Sequence, residues 1–212
     1  MMRTDDLISL LASDTLKPEG PAPRQVSGRL TVALALGGLM VLYLGLNPKL
    51  SEFAATSVFT VKMVWLFAVV VFSAALVYRM VHPGRHVGSA PWGIGLALLA
   101  MAGQGLNQLL QAPPEGRSAL WMGSSWQVCA FNITAIALPV LAALLWTLRD
   151  MAPTRPALTG GAAGMLAGAL AAMLYSLHCY ENTYTFFSIW YSGGMGLSAL
   201  VGATIGAKYL RW

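Results

Sequence analysis

The chain is 212 residues long, with 57% hydrophobic and only 10% charged residues. That balance excludes an ordinary soluble domain, in which about a quarter of the residues are charged. The net charge of +5 is spread over membrane-flanking segments and is not the footprint of a nucleic-acid binder.

Residues 1 to 28 read as a cytoplasmic segment and linker. Up to Pro23, Asp5, Asp6, Asp14 and Glu19 oppose only Arg3 and Lys17. Thr4 suits a helix N-cap, Asp5 and Asp6 suit the first turn, and Lys17-Pro18 with Gly20 and Pro21 ends the helix. Leu7, Leu10 and Leu11 then share one face. A helix this short is marginal alone. It either lies on the membrane, frays as a tail with no role, or orders against a partner. Interfacial helices turn lysine and arginine toward anionic headgroups, so aspartates beside a leucine face favour a basic protein partner.

A helix needs about 20 mostly apolar residues to cross a bilayer. Apolar runs fall at Leu30 to Leu46, Phe59 to Val77, Trp92 to Leu110, Val128 to Leu148, Leu158 to Leu177 and Thr185 to Ala207. Breaks at Asn47-Pro48, His82-Pro83-Gly84, Pro113-Pro114, Arg149-Asp150 and His178 to Thr183 separate them. The expected fold is therefore all-α: a polytopic bundle of six transmembrane helices over residues 29 to 212. With the N-terminus inside, Arg3, Lys17, Arg24, Arg29, Arg79, Arg85, Arg149, Arg155, Lys208 and Arg211 are cytoplasmic, and only Lys49, Lys62 and Arg117 are not. The positive-inside rule thus puts both termini in the cytoplasm. No cleavable signal sequence precedes the first run, which is expected to stay as an anchor in a bacterial inner membrane.

Within the spans, Gly160, Gly164 and Gly168 repeat at spacing four, and Gly202 and Gly206 do the same in the last run. These are expected to be close helix contacts and no ligand site. Gln104, Asn107, Gln108 and Gln111 share a side of the third span, and Asn132 lies at similar depth in the fourth. Polar groups in membranes usually face the bundle interior, where they bond between helices or line a pocket. Lys62, just inside the second span, is expected to snorkel to the interface.

Cys129 opens the fourth span and Cys179 follows the fifth, so both belong to the outer face. They can meet there as a structural disulfide, as a soft-metal pair helped by His178, or as a redox-sensing dithiol. A helix N-terminus favours the thiolate at Cys129 and a helix C-terminus disfavours it at Cys179, unless burial overrides both. No C-x-x-C, H-E-x-x-H or G-x-S-x-G occurs, and His82 and His86 flank a Pro-Gly turn that breaks any metal-binding helix. No catalytic residue, metal or cofactor is expected.

Thr4-Asp5-Asp6-Leu7-Ile8, Gly45-Leu46-Asn47-Pro48, Lys62 and His82-Pro83-Gly84 stand in this order. Gly123, Ser125-Trp126, Cys129, His178-Cys179, Glu181, Phe187, Trp190-Tyr191 and Arg211-Trp212 follow. In this combination the chain resembles the NrsF/OsrA-type anti-sigma factors, departing at Tyr180 where the pattern has proline. The resemblance implies a six-span inner-membrane protein that is not an enzyme. It implies that Cys129 and Cys179 are sensing cysteines; His178 and Asn132, close to them in the sequence, are the candidates to support them. It also implies that Asp5, Asp6, Leu7, Leu10 and Leu11 bind an extracytoplasmic-function sigma factor, released when the cysteines meet oxidants, electrophiles or thiol-reactive metals. Apart from that protein and membrane lipid, no partner, and no direct nucleic-acid contact, is expected. A small membrane thiol-disulfide oxidoreductase and a transporter accessory subunit are the alternatives, marked by bound quinone with turnover and by solute flux.

Overall fold

The computed structural model describes residue 9 and residues 23–82, 85–151 and 153–211. The segment with Asp5, Asp6, Leu7, Leu10 and Leu11 lies outside the described residues. Those described form helices joined by short loops, without a strand among them. Five helical stretches are long and apolar enough to cross a membrane.

Helix α1 (Pro23–Leu44) starts seven residues before the apolar run, because nothing between Pro23 and Leu30 breaks a helix. Ser27 and Thr31 return their hydroxyls to carbonyls one turn back, which lets polar residues continue it. It stops at Gly45, whose φ of +91° favours glycine. A single-turn helix α2 (Leu50–Ala54) leads to α3 (Ser57–Val81), capped by Thr56 Oγ1, which accepts the Phe59 N–H at 3.2 Å. Helix α4 (Ala90–Gln111) has Pro91 in its first turn and ends before Pro113. A short α5 (Arg117–Met122) ends at Gly123, φ +56°, ahead of α6 (Trp126–Arg149).

Helix α7 (Pro156–Tyr175) is the centre of the bundle, packed by α3, α6 and α9, while α1 rides on α6, and α4 packs on α3 and on the start of the last helix. The last helix begins as α8 (Tyr184–Phe186), passes through a π turn (Phe187–Tyr191) and continues as α9 (Ser192–Tyr209). It coincides with the sixth expected span. Its glycines and serines, however, leave it outside the five stretches apolar enough to cross by composition.

The α7–α9 contact shows why the glycines are there. A Cβ on Gly160 would strike the Gly202 carbonyl, one on Gly164 the Ser198 carbonyl, and one on Gly202 the Gly160 carbonyl. The two backbones touch, an approach only glycine permits. The chain runs up and down, so one end gathers Asn47, Cys129 and Cys179 and the other gathers Arg29, Arg79, Arg149 and Arg155. At the arginine end Arg29 pairs with Asp150 at 3.8 Å and lies over the Trp146 ring, and Arg149 lies over Tyr209.

Gly164→Ala is expected to destabilise the protein by about 1–3 kcal/mol through overpacking, read by denaturant unfolding in detergent. Gly38→Ala, with open space around it, should be neutral or stabilising. Equal effects would contradict the packing assigned to α7 and α9.

Candidate functional site

The cysteine end is organised by the loop from Ser176 to Thr183, which sits among helix ends and must find its polar partners inside the protein. The Asn47 N–H donates to the Leu177 carbonyl at 3.0 Å. The Asn47 Nδ2 donates to the Cys179 carbonyl at 3.3 Å, and its Oδ1 accepts the Lys49 N–H at 2.9 Å. Asn47 is only 3% exposed. His178 Nδ1 lies 2.6 Å from the Gly45 carbonyl; a carbonyl only accepts, so that nitrogen carries the proton. Together these bonds bind the loop to the end of α1.

Further along, Glu181 Oε1 accepts both the Ser124 N–H at 2.6 Å and its hydroxyl at 2.7 Å. Gly123 is required beside it, because a Cβ there would enter the Glu181 carboxylate. Asn182 donates to Thr56 Oγ1 at 3.3 Å, and Thr183 donates to the Leu120 carbonyl at 3.1 Å. Trp190 Nε1 donates to the Trp121 carbonyl at 2.7 Å and its ring packs on Trp126 at 5.5 Å.

Both cysteines are free and buried. Cys129 is in the first turns of α6, its N–H bonded to the Ser125 carbonyl at 3.0 Å. Cys179 lies in the loop, where the Tyr191 hydroxyl and the Glu181 backbone N–H bond its sulfur. The two thiols are within electrostatic range of each other and of Lys62. The structure thus brings together the pair that the sequence placed at one depth. Burial pushes the Cys179 thiol up, against the opposing pull of those two hydrogen bonds and of Lys62. It is a neutral thiol at physiological pH.

Asn132 is half-buried on α6 and lies near the Tyr175 hydroxyl. His178 is turned to α1 and stacks with Tyr175 and Tyr180. Among the described residues no three His, Cys, Asp or Glu side chains come together as a metal-binding group.

Two expectations change. Lys62 does not snorkel: it is 1% exposed, and its Nζ lies 4.4 Å from the Phe187 ring centre, 4.9 Å from Phe59 and 5.6 Å from Tyr191. Cation–π attraction from these rings replaces part of the hydration that burial removes. The amide row does not face inward as a set. Only Gln108 turns in, its Oε1 accepting the Thr185 N–H at 3.0 Å and hydroxyl at 3.2 Å. Gln104, Asn107 and Gln111 lie exposed on α4, with Gln111 donating to Asn107 at 3.0 Å. Tyr175 was not anticipated at all, since a tyrosine ending an apolar run looks like an interface anchor.

These features define an all-helical, polytopic membrane protein that buries two free thiols beside a lysine at one end of the bundle. The chain belongs to the NrsF family, whose model, described as negative regulator of sigma F, matches residues 11–212. The probable anti-sigma-F factor NrsF of Azospira oryzae is 37% identical to it over 216 residues, and the anti-sigma-F factor NrsF of Caulobacter vibrioides 38% over 218. Each alignment covers the whole of both chains. These relatives are named as regulators and not as enzymes. No solved structure matches the chain.

Asn47→Ala should cost about 1–3 kcal/mol by leaving the Cys179 carbonyl without its donor. It should also speed iodoacetamide labelling of Cys179 severalfold at pH 7. In the unaltered protein that labelling should keep rising with pH beyond the range where an exposed cysteine saturates, because burial favours the neutral thiol. Unchanged labelling in Asn47→Ala would show that this asparagine does not hold the loop.

Proposed function

We propose that this chain is an inner-membrane anti-sigma factor with six crossings and both termini in the cytoplasm. Its N-terminal segment holds an extracytoplasmic-function sigma factor and lets it go when Cys129 and Cys179 react with oxidants, electrophiles or thiol-reactive metals outside. The family supports the regulatory half of this reading, and the arginine-rich end supports the orientation. One observation carries the coupling: the loop bearing Cys179 is bonded to the end of α1 through Asn47 and His178, and the other end of α1 leads to the N-terminal segment.

A reaction at the thiols changes the volume and charge of a packed interior, which answers by shifting between discrete arrangements. If the modified pair fits a different loop position, α1 loses or shifts its anchor. The modification needs a preference for that second arrangement, or nothing moves. Inside, Leu7, Leu10 and Leu11 supply the apolar contact, and Asp5 and Asp6 steer toward a basic surface.

Cys129→Ala and Cys179→Ala are each expected to keep sigma binding and to lose release by oxidant, measured by co-purification from membranes with and without hydrogen peroxide. Release without stimulus in either variant would mean that the resting state is the disulfide and the switch runs the other way. Leu7→Ala with Leu11→Ala should raise the sigma off-rate at least tenfold. Asp5→Asn with Asp6→Asn should mainly slow association and flatten its salt dependence. Unchanged affinity in the leucine pair would exclude this docking face.

A further inference from the structure

Lys62 asks for an explanation that packing does not give. It lies within α3, fully buried, with rings of Phe59, Phe187 and Tyr191 around its ammonium. Among the described residues no carboxylate forms an ion pair with it. Cation–π contacts offset only part of the lost hydration, and a leucine or methionine would fill the space without that cost. An ionisable side chain kept inside a membrane bundle marks a functional site by default.

The surrounding groups narrow the choice. Glu181 is within range of the thiols, but its carboxylate is held by Ser124. Tyr175 has its hydroxyl near Asn132, Tyr191 bonds Cys179 and lies 3.5 Å from Ser176, and His178 is fastened to Gly45. Of the described groups facing Lys62, Cys129 and Cys179 are those that can gain negative charge by reacting.

Building on the reading of these cysteines as the sensing pair, we infer that Lys62 is their counter-ion, a positioning residue whose ammonium stabilises the sulfur anion that reacts. With hydrogen peroxide the thiol proton is released and the thiolate attacks one oxygen. The S–O bond forms as the O–O bond breaks, and the departing hydroxide takes up a proton to become water. Sulfur is oxidised to the sulfenic acid and the peroxide is reduced. In this step the ammonium moves from ring faces toward sulfur, so charge formation at the cysteines is felt on α3 as well as on the loop.

The test uses the full-length protein in nanodiscs, with iodoacetamide as probe, and site-resolved labelling rates of Cys129 and Cys179 followed from about pH 6 to pH 9.5. Lys62→Met should slow labelling about tenfold across this range, the effect of losing a nearby opposite charge. Lys62→Arg should restore most of it. Phe187→Leu, which opens the ring cage but keeps the charge, should label faster than the unaltered protein. Lys62→Met should be at least as heat-stable as the parent, since it removes a buried charge without a carboxylate.

An unchanged rate across this range in Lys62→Met would overturn the inference, and so would a Lys62→Met protein that no longer folds together with an unchanged rate in Phe187→Leu. The outcomes separate from those of the functional proposal. Lys62-dependent labelling with oxidant release intact in both cysteine variants would sink the sensing role and leave the counter-ion standing. Lys62-independent labelling with release lost in those variants would do the reverse.

Discussion

A non-helical loop among the ends of membrane helices has no water inside the bundle to satisfy its backbone, so it must bond to protein. The loop from Ser176 to Thr183 meets that requirement by bonding outward to the end of α1, the cap of α3, the turn after α5 and α5 itself. Its first half also bonds back to the end of α7, where the Ser176 to Cys179 N–H groups meet the Ala172, Leu174 and Tyr175 carbonyls. The geometry of Cys179 is therefore a shared property of four other segments, and a change at its sulfur reaches all of them. The same constraint explains Gly123, which makes room for the Glu181 carboxylate, and Asn47, which bonds with its backbone and with both ends of its amide.

Below this loop the bundle is stiff. Backbone contact between α7 and α9 through Gly160, Gly164 and Gly202 leaves no slack, and α6 buries Ile133 against Gly194 of α9 and Ile136 against Gly37 of α1. By contrast α1 is held mainly along one neighbour, α6. Motion started at the cysteines would meet least resistance along α1, whose contact with α6 is one-sided and whose far end is fixed by the loop. In the function proposed above, burial would make the thiols slow to react and the cation beside them would offset part of that slowness, so that their balance would set how strong a stimulus must be.

Much of the fold could be read from composition and punctuation. Every expected span became a helix, because proline, glycine and charge mark helix ends as clearly in the folded protein as in the sequence. That the cysteines share one end followed from counting spans, and the close helix contact followed from glycine spacing. What could not be read was direction around each helix. In a membrane both faces are apolar, so periodicity does not say which side is buried. Lys62 and the amides Gln104, Asn107 and Gln111 were misjudged for that reason. The former points in and the latter point out, the reverse of the usual expectation. His178 and Asn132, picked for closeness to the cysteines in sequence, turn to the end of α1 and toward Tyr175, since partners in a loop network come from other segments. The π turn at Phe187–Tyr191, which brings Phe187 to Lys62 and Tyr191 to Cys179, carries no local signature in composition.

The central claim is that the chemical state of Cys129 and Cys179 decides whether a sigma factor is held. Its most direct measurement separates sigma-bound from sigma-free protein out of the same mildly oxidised membranes and reads the thiol state of each cysteine by differential alkylation and mass spectrometry. The account predicts free thiols at both positions in the bound pool and modified cysteine in the free pool. Identical thiol states in the two pools, or modification concentrated in the bound one, would contradict it.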